Sequence, residues 1–123
     1  MKVVIIGAAG RMGQALMRCA AEKGIEVVGA VEDKFCPLIG TTVNINGVNP
    51  QLAYTTDWPC EADAVIDFSF HASVPAHIAL AAERKQGFVL GTTGLDAAEL
   101  KAVEDAARII PVARSATMST GVN

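Results

Sequence analysis

Seven residues near the amino terminus, Gly7-Ala8-Ala9-Gly10-Arg11-Met12-Gly13, follow directly on the apolar run Val3-Val4-Ile5-Ile6 and lead into a helical pattern. A strand, a glycine-rich turn and a helix in that order aim the free backbone N–H groups of a helix start at one point, which suits a phosphate. Gly7 permits the tight turn, Gly10 admits a phosphate where a Cβ would collide, and Gly13 lets the helix lie close on the sheet. The glycines are spaced G-x-x-G-x-x-G, with Ala9 where the commoner pattern has its second glycine. Without its context such a turn would merely pack a strand on a helix. With strand and helix flanking it, the loop reads as a cradle for the pyrophosphate of a dinucleotide.

A second feature belongs with the first. The run that ends at Val31 is followed by Glu32-Asp33, an acid placed where a ribose-binding carboxylate is needed. Glu32 can accept from both adenosine ribose hydroxyls, and its charge would repel a 2′-phosphate by about 4 kcal/mol at close contact. That favours NADH over NADPH. Arg11 and Lys34 flank the same place and could hold a 2′-phosphate, so use of both cofactors stays open.

Ligands of open α/β sheets bind beyond the carboxyl ends of the strands, so three further segments are candidates for the same crevice. They are Asp67-Phe68-Ser69-Phe70-His71, Gly91-Thr92-Thr93-Gly94 and Ser115-Ala116-Thr117-Met118-Ser119. The loop from Gly91 to Gly94 can offer backbone N–H and C=O groups to a carboxamide, orienting a nicotinamide without charge. His71 has no partner that the sequence names and reads as a loop histidine; His77, one residue before Ile78, reads as a half-buried packing residue. Neither stands at metal-ligand spacing from a cysteine or a carboxylate, so no metal is expected.

The elements that must position these residues follow from periodicity. Apolar runs at Lys2–Ile6, Glu26–Val31, 64–68, 88–90 and 109–113 are rich in Val and Ile without polar alternation, as in strands buried on both faces. The first helical pattern puts Met12, Leu16, Cys19 and Ala20 on one stripe. A later one starts at Ser73 as N-cap, with Pro75 in its first turn and Val74, Ile78, Ala81 and Ala82 on one face. The last begins at Asp96 with Glu99 completing a capping box, and carries Leu100, Val103 and Ala107 inward, after which Pro111 ends it or opens the last strand. Between 32 and 61, Pro37, Gly40, Gly47, Pro50 and Pro59 predict a long loop with little regular structure. Strands alternating with helices specify an α/β, doubly wound parallel sheet of the Rossmann type.

Length and composition agree with one domain over 1–123: the apolar fraction of 51% is enough for a single core. A net charge of -3 with no run of like charges offers nothing to a nucleic-acid backbone, and no run approaches a membrane span or a signal peptide, so a cytoplasmic protein is expected. Cys19, Cys36 and Cys60 lack paired spacing and read as reduced thiols, Cys19 as part of the core.

Four motifs in order, Gly-Ala-Ala-Gly-Arg-Met-Gly at 7–13, Asp-Phe-Ser at 67–69, Gly-Thr-Thr-Gly at 91–94 and Ser-x-Gly-Val-Asn at 119–123, resemble the amino-terminal part of dihydrodipicolinate reductase. The resemblance implies NAD(P)H-dependent reduction of 4-hydroxy-tetrahydrodipicolinate in lysine and diaminopimelate synthesis. By position it places Gly7, Ala9, Gly10, Arg11, Met12, Glu32, Asp33 and Lys34 around the adenosine and pyrophosphate. Phe68, Ser69, Gly91, Thr92 and Thr93 then bound the nicotinamide, Thr93 also reaching substrate, and Ala116, Thr117 and Met118 close over it. The sequence departs from the family at His71, usually Pro, at Thr117, usually Asn, and at Asp33, where some NADPH users have Arg. The resemblance also implies a following domain that binds substrate, donates the proton and makes a homotetramer. No catalytic residue is therefore expected in this chain, which reads as cut at a domain boundary and inactive alone. Aspartate or homoserine dehydrogenases lack the Gly-Thr-Thr-Gly and Ser-x-Gly-Val-Asn combination. A stand-alone nucleotide-binding or redox-sensing module is the alternative of a different class.

Overall fold

A computed structural model describes residues 1–114. In chain order the elements are β1 (Lys2–Ile6), α1 (Arg11–Glu22), β2 (Glu26–Val31), β3 (Tyr54–Thr55), β4 (Ala64–Asp67), α2 (Val74–Glu83), β5 (Gly87–Leu90), α3 (Ala97–Ala106) and β6 (Val112–Arg114), with a single 3-10 turn at His71–Ser73 before α2. All six strands are parallel, in the order β3-β2-β1-β4-β5-β6. Chain order reverses between β1 and β4, so the loops leaving these two neighbours part and open a crevice at their carboxyl ends.

The doubly wound form follows from how β1 spends its side chains. Successive residues of a strand point to opposite faces, and both faces are apolar here. Val3 and Ile5 pack with Met17 and Ala20 of α1, while Val4 and Ile6 pack with Val74 and Ile78 of α2 and Val103 and Ala106 of α3. Phe88 of β5 is buried on the α2 and α3 side.

Several expectations need correcting. Helix α1 buries Gly13, Met17 and Ala20; Met12 and Cys19 are exposed, because the stripe that faces the sheet is rotated from the expected one by about one position. The last strand is Val112–Arg114 rather than 109–113, and Ile109 is exposed while Ile110 is buried. In α3 it is Ala106, not Ala107, that turns inward. Ser73 stands at the N-cap of α2 but in helical backbone geometry and without a side-chain cap bond, since the 3-10 turn before it already supplies the entry. The stretch from 32 to 61 is mostly irregular, yet it holds the edge strand β3 and a single antiparallel bridge between Thr42 and Ala53. Its Val43, Val48 and Tyr54 are buried in the α1-side core, so this loop covers part of the sheet.

The capping box of α3 is present as expected: the Asp96 side chain accepts from the Glu99 N–H at 2.8 Å, and Glu99 Oε1 accepts from the Asp96 N–H at 2.8 Å. Asp96→Ala is expected to cost about 1 kcal/mol, read as a lower urea midpoint at unchanged slope.

Candidate functional site

The crevice at the reversal point is a cleft of about 750 Å³ lined by residues from four strand ends. Gly7 and Gly10 come from the loop after β1, Glu32, Asp33 and Lys34 from that after β2, Thr56 from the end of β3, and Phe68, Ser69 and Phe70 from the loop after β4. Ser73 and His77 add the start of α2.

The turn after β1 is fixed by backbone constraints. Gly7 sits at φ +83, a left-handed conformation that disfavours side chains, and a Cβ there would stand 2.9 Å from the Phe68 carbonyl oxygen. Its N–H and that of Ala8 donate to the Val31 carbonyl, at 2.9 and 3.2 Å, tying the loop to the end of β2. Helix α1 begins at Gly10 with no side-chain cap and no acid in its first turn. Helix starts ordinarily satisfy such N–H groups with a cap, so this end, facing the cleft, fits an anion supplied from outside.

Glu32 bridges the two loops. Its Oε2 accepts from the Ala9 N–H at 2.8 Å and its Oε1 from the Asp33 N–H at 3.3 Å. The carboxylate is thereby held at the mouth of the glycine loop with lone pairs left for a ligand. Tyr54, buried behind it, has its phenol pushed above the ordinary range by burial first, then by the Glu32 charge and Cys36. Lys34 holds its ammonium 5.1 Å from the centre of the Phe35 ring, which is 81% exposed.

Of the other candidates, Arg11 and Met12 are exposed on the first turn of α1, outside the cleft lining. Gly91 is buried behind Phe68, whose ring lies where a side chain on Gly91 would stand. The Thr92 hydroxyl shares its one hydrogen between the carbonyls of Asp67 at 3.2 Å and Ser69 at 3.0 Å, pinning the β4 loop to the end of β5. Thr93 is exposed and does not line the cleft. Ala116, Thr117 and Met118 lie outside the described residues.

Both histidines have partners that the sequence did not name. His71 Nδ1 lies 2.8 and 3.0 Å from the two carboxyl oxygens of Glu99, so the turn before α2 is clasped to the start of α3. His77 Nδ1 lies 2.9 Å from Asp67 Oδ2, beneath the cleft. Both carboxylates are distant in sequence from their histidines, which hid the pairing. One signal was available: Asp67 ends an apolar strand, and a buried acid requires donors nearby. Among the described residues no three His, Cys, Asp or Glu side chains gather as a metal site, and no helix is long and apolar enough to cross a membrane.

A family model described as dihydrodipicolinate reductase, N-terminus, matches residues 1–118. The chain belongs to this dihydrodipicolinate reductase amino-terminal family. It is 39% identical over 123 residues to the 4-hydroxy-tetrahydrodipicolinate reductase of Caldanaerobacter subterraneus subsp. tengcongensis, covering 99% of this chain and 45% of that protein. With the protein of the same name from Ruegeria pomeroyi the identity is 41%, covering 98% of this chain and 47% of the relative. The chain thus spans about half the length of the curated relatives it matches.

Among solved structures, an aspartate semialdehyde dehydrogenase II from Vibrio cholerae superposes with a TM-score of 0.65 at 16% identity, over 93% of this chain and 41% of its own. A dihydrodipicolinate reductase from Paenisporosarcina sp. TG-14 gives 0.62 at 21%, over 87% and 43%. At those identities the two superpositions show the fold. The family's assignment rests on the sequence match.

Proposed function

We propose that this chain is the NAD(P)H-binding domain of a 4-hydroxy-tetrahydrodipicolinate reductase, serving lysine and diaminopimelate synthesis in the whole protein. The observation that carries this is the uncapped start of α1 facing the cleft together with Glu32 held against the Ala9 N–H. These two features provide for the pyrophosphate and the adenosine ribose of one ligand. When bound, the dinucleotide supplies the hydride; the residues here bind and orient it.

On this proposal Gly7, Ala9, Gly10, Arg11 and Met12 surround the pyrophosphate, and Glu32, Asp33 and Lys34 the adenosine ribose. Phe68 and Ser69 border the nicotinamide, Gly91 and Thr92 support them from behind, and Thr93 extends to substrate, with 116–118 also assigned to the nicotinamide by the family resemblance. NADH is favoured, with NADPH accepted, because the Glu32 charge opposes a 2′-phosphate while Lys34 in the cleft lining offsets part of that. On this proposal substrate binding, proton donation and assembly into a homotetramer belong to a further part of the whole protein. The chain alone then binds the dinucleotide without turnover.

Trp58, the one tryptophan of the sequence, is buried and lies edge-on to His77 at 6.1 Å, next to the cleft. Titration with NADH is expected to quench its emission saturably, and calorimetry to give one site per chain. Failure of a folded chain to bind either NADH or NADPH would overturn the proposal.

A further inference from the structure

Asp67 is 0% exposed, and every polar group set against its carboxyl is able to donate. Oδ1 receives the Ser69 N–H at 2.8 Å and the Ser69 hydroxyl, while Oδ2 faces His77 Nδ1 at 2.9 Å. Oδ1 is thus met by two donors, and a proton on Nδ1 directed at Oδ2 completes the set. The same Nδ1 lies 3.4 Å from Ser69 Oγ. The His77 ring is braced edge-on by Trp58, whose indole N–H donates to Gln86 Oε1 at 2.8 Å. The backbone carbonyls of Asp67 and Ser69 are in turn held by the Thr92 hydroxyl.

A hydroxyl has one hydrogen. That of Ser69 is committed to the buried Asp67 carboxyl, which leaves the oxygen of this cleft-lining residue with acceptor lone pairs alone. Phosphate oxygens, which are acceptors at neutral pH, have nothing to gain there. A ligand must bring an N–H or O–H.

We propose that Ser69 is a fixed acceptor for the nicotinamide half of the dinucleotide, and that Asp67 and His77 are positioning residues that keep it one. This rests on the proposed function, which sets Ser69 beside the nicotinamide, and adds what that side chain offers the ligand there and which residues fix it. The donor on the ligand is the carboxamide N–H or a hydroxyl of the adjacent ribose. Both share the required chemistry, and ADP-ribose, which keeps a ribose and lacks the carboxamide, separates them.

The test is calorimetric titration of the wild-type chain, Ser69→Ala, His77→Asn and His77→Gln with NADH and with ADP-ribose. Asn can place its amide nitrogen near the position of Nδ1; Gln places its own nearer Nε2. Ser69→Ala and His77→Gln are expected to weaken NADH about five- to tenfold, with His77→Asn within about twofold of wild type. A Ser69→Ala loss confined to NADH assigns the carboxamide, and a loss shared by ADP-ribose assigns the ribose hydroxyl. Wild-type affinity for NADH in Ser69→Ala overturns the proposal, as does an equal loss in His77→Asn and His77→Gln. Nitrogen-15 shifts of the wild-type His77 ring give a check that needs no variant: the neutral ring should carry its proton on Nδ1, and the Nε2 tautomer overturns the positioning role. A folded wild-type chain that binds no dinucleotide fails the proposed function itself. That outcome is distinct from NADH binding that ignores Ser69.

Discussion

Glu32→Gln is expected to weaken NADH by roughly ten- to a hundredfold, the loss of a charge-assisted hydrogen bond contributing about 1.5–3 kcal/mol. The carboxylate spans the loop after β1 and the loop after β2, accepting from Ala9 N–H at 2.8 Å and Asp33 N–H at 3.3 Å. Its position is therefore set before any ligand arrives, and little ordering cost remains to be met on binding. Glutamine can keep the bond to Ala9 through its carbonyl oxygen, but then turns an N–H where the second carboxylate oxygen stood. One ribose hydroxyl loses its acceptor. The effect on NADPH has the opposite sign, because removing the charge relieves a repulsion of up to about 4 kcal/mol near the 2′-phosphate. Lys34, which lines the same cleft, is left unopposed by Glu32. Calorimetry of both dinucleotides should show the NADPH to NADH affinity ratio rising at least about tenfold in the variant, with the wild-type preference narrowing as salt screens the charge. A wild-type chain that binds NADPH more tightly than NADH, or a variant whose ratio does not move, would refute the role given to Glu32.

What the sequence made legible is what short-range physics determines. The strand Lys2–Ile6, the glycine turn and the helix after it are contiguous, so context resolves them. The Asp96 and Glu99 capping box is a four-residue signal and is present as read. The Val74, Ile78, Ala81 and Ala82 face was also legible, since the bulky β-branched Val74 and Ile78 stand four apart in a helix otherwise made largely of alanine. In helix α1 the polar stripe of Arg11, Gln14, Arg18 and Glu22 turns Gly13, Met17 and Ala20 inward, so the expected stripe lay one residue early and Met17 rather than Cys19 takes the core position. The two-residue β3 has too few residues to show a pattern. Its place at the sheet edge depends on Tyr54 pairing with Ala30, a tertiary event.

The polar network under the cleft was hidden for the same reason. Asp67 and His77 meet because β4 turns Asp67 to the face that Val65 shares with α2, and only the packed sheet supplies that face. His71 and Glu99 meet because the turn before α2 lies beside the start of α3. A capping glutamate with a second partner is not announced by its capping motif.

Two alanine substitutions in the glycine loop should separate folding from binding. At Gly13 a Cβ would stand 2.2 Å from the Gly7 carbonyl oxygen and 2.6 Å from Ala8 Cα, both backbone atoms that cannot turn aside. Helix α1 would have to lift off the loop, and with it Met17 and Ala20 would leave Val3, Ile5 and Val27. Gly13→Ala is therefore expected to cost about 3 kcal/mol or more, a large fraction of the roughly 5–15 kcal/mol that holds a domain together. The readout is a denaturant midpoint that falls steeply or a chain that does not fold. At Gly10, by contrast, φ is -73 and a Cβ would meet the Gly7 carbonyl oxygen at 3.5 Å, ordinary contact. Gly10→Ala should leave stability within about 0.5 kcal/mol, yet its methyl would project towards the space where a pyrophosphate approaches the helix start, so NADH binding should be lost. If Gly10→Ala retains wild-type affinity, the phosphate does not lie on this loop; if Gly13→Ala folds as stably as wild type, the close approach of α1 to the turn is not what holds the loop in shape.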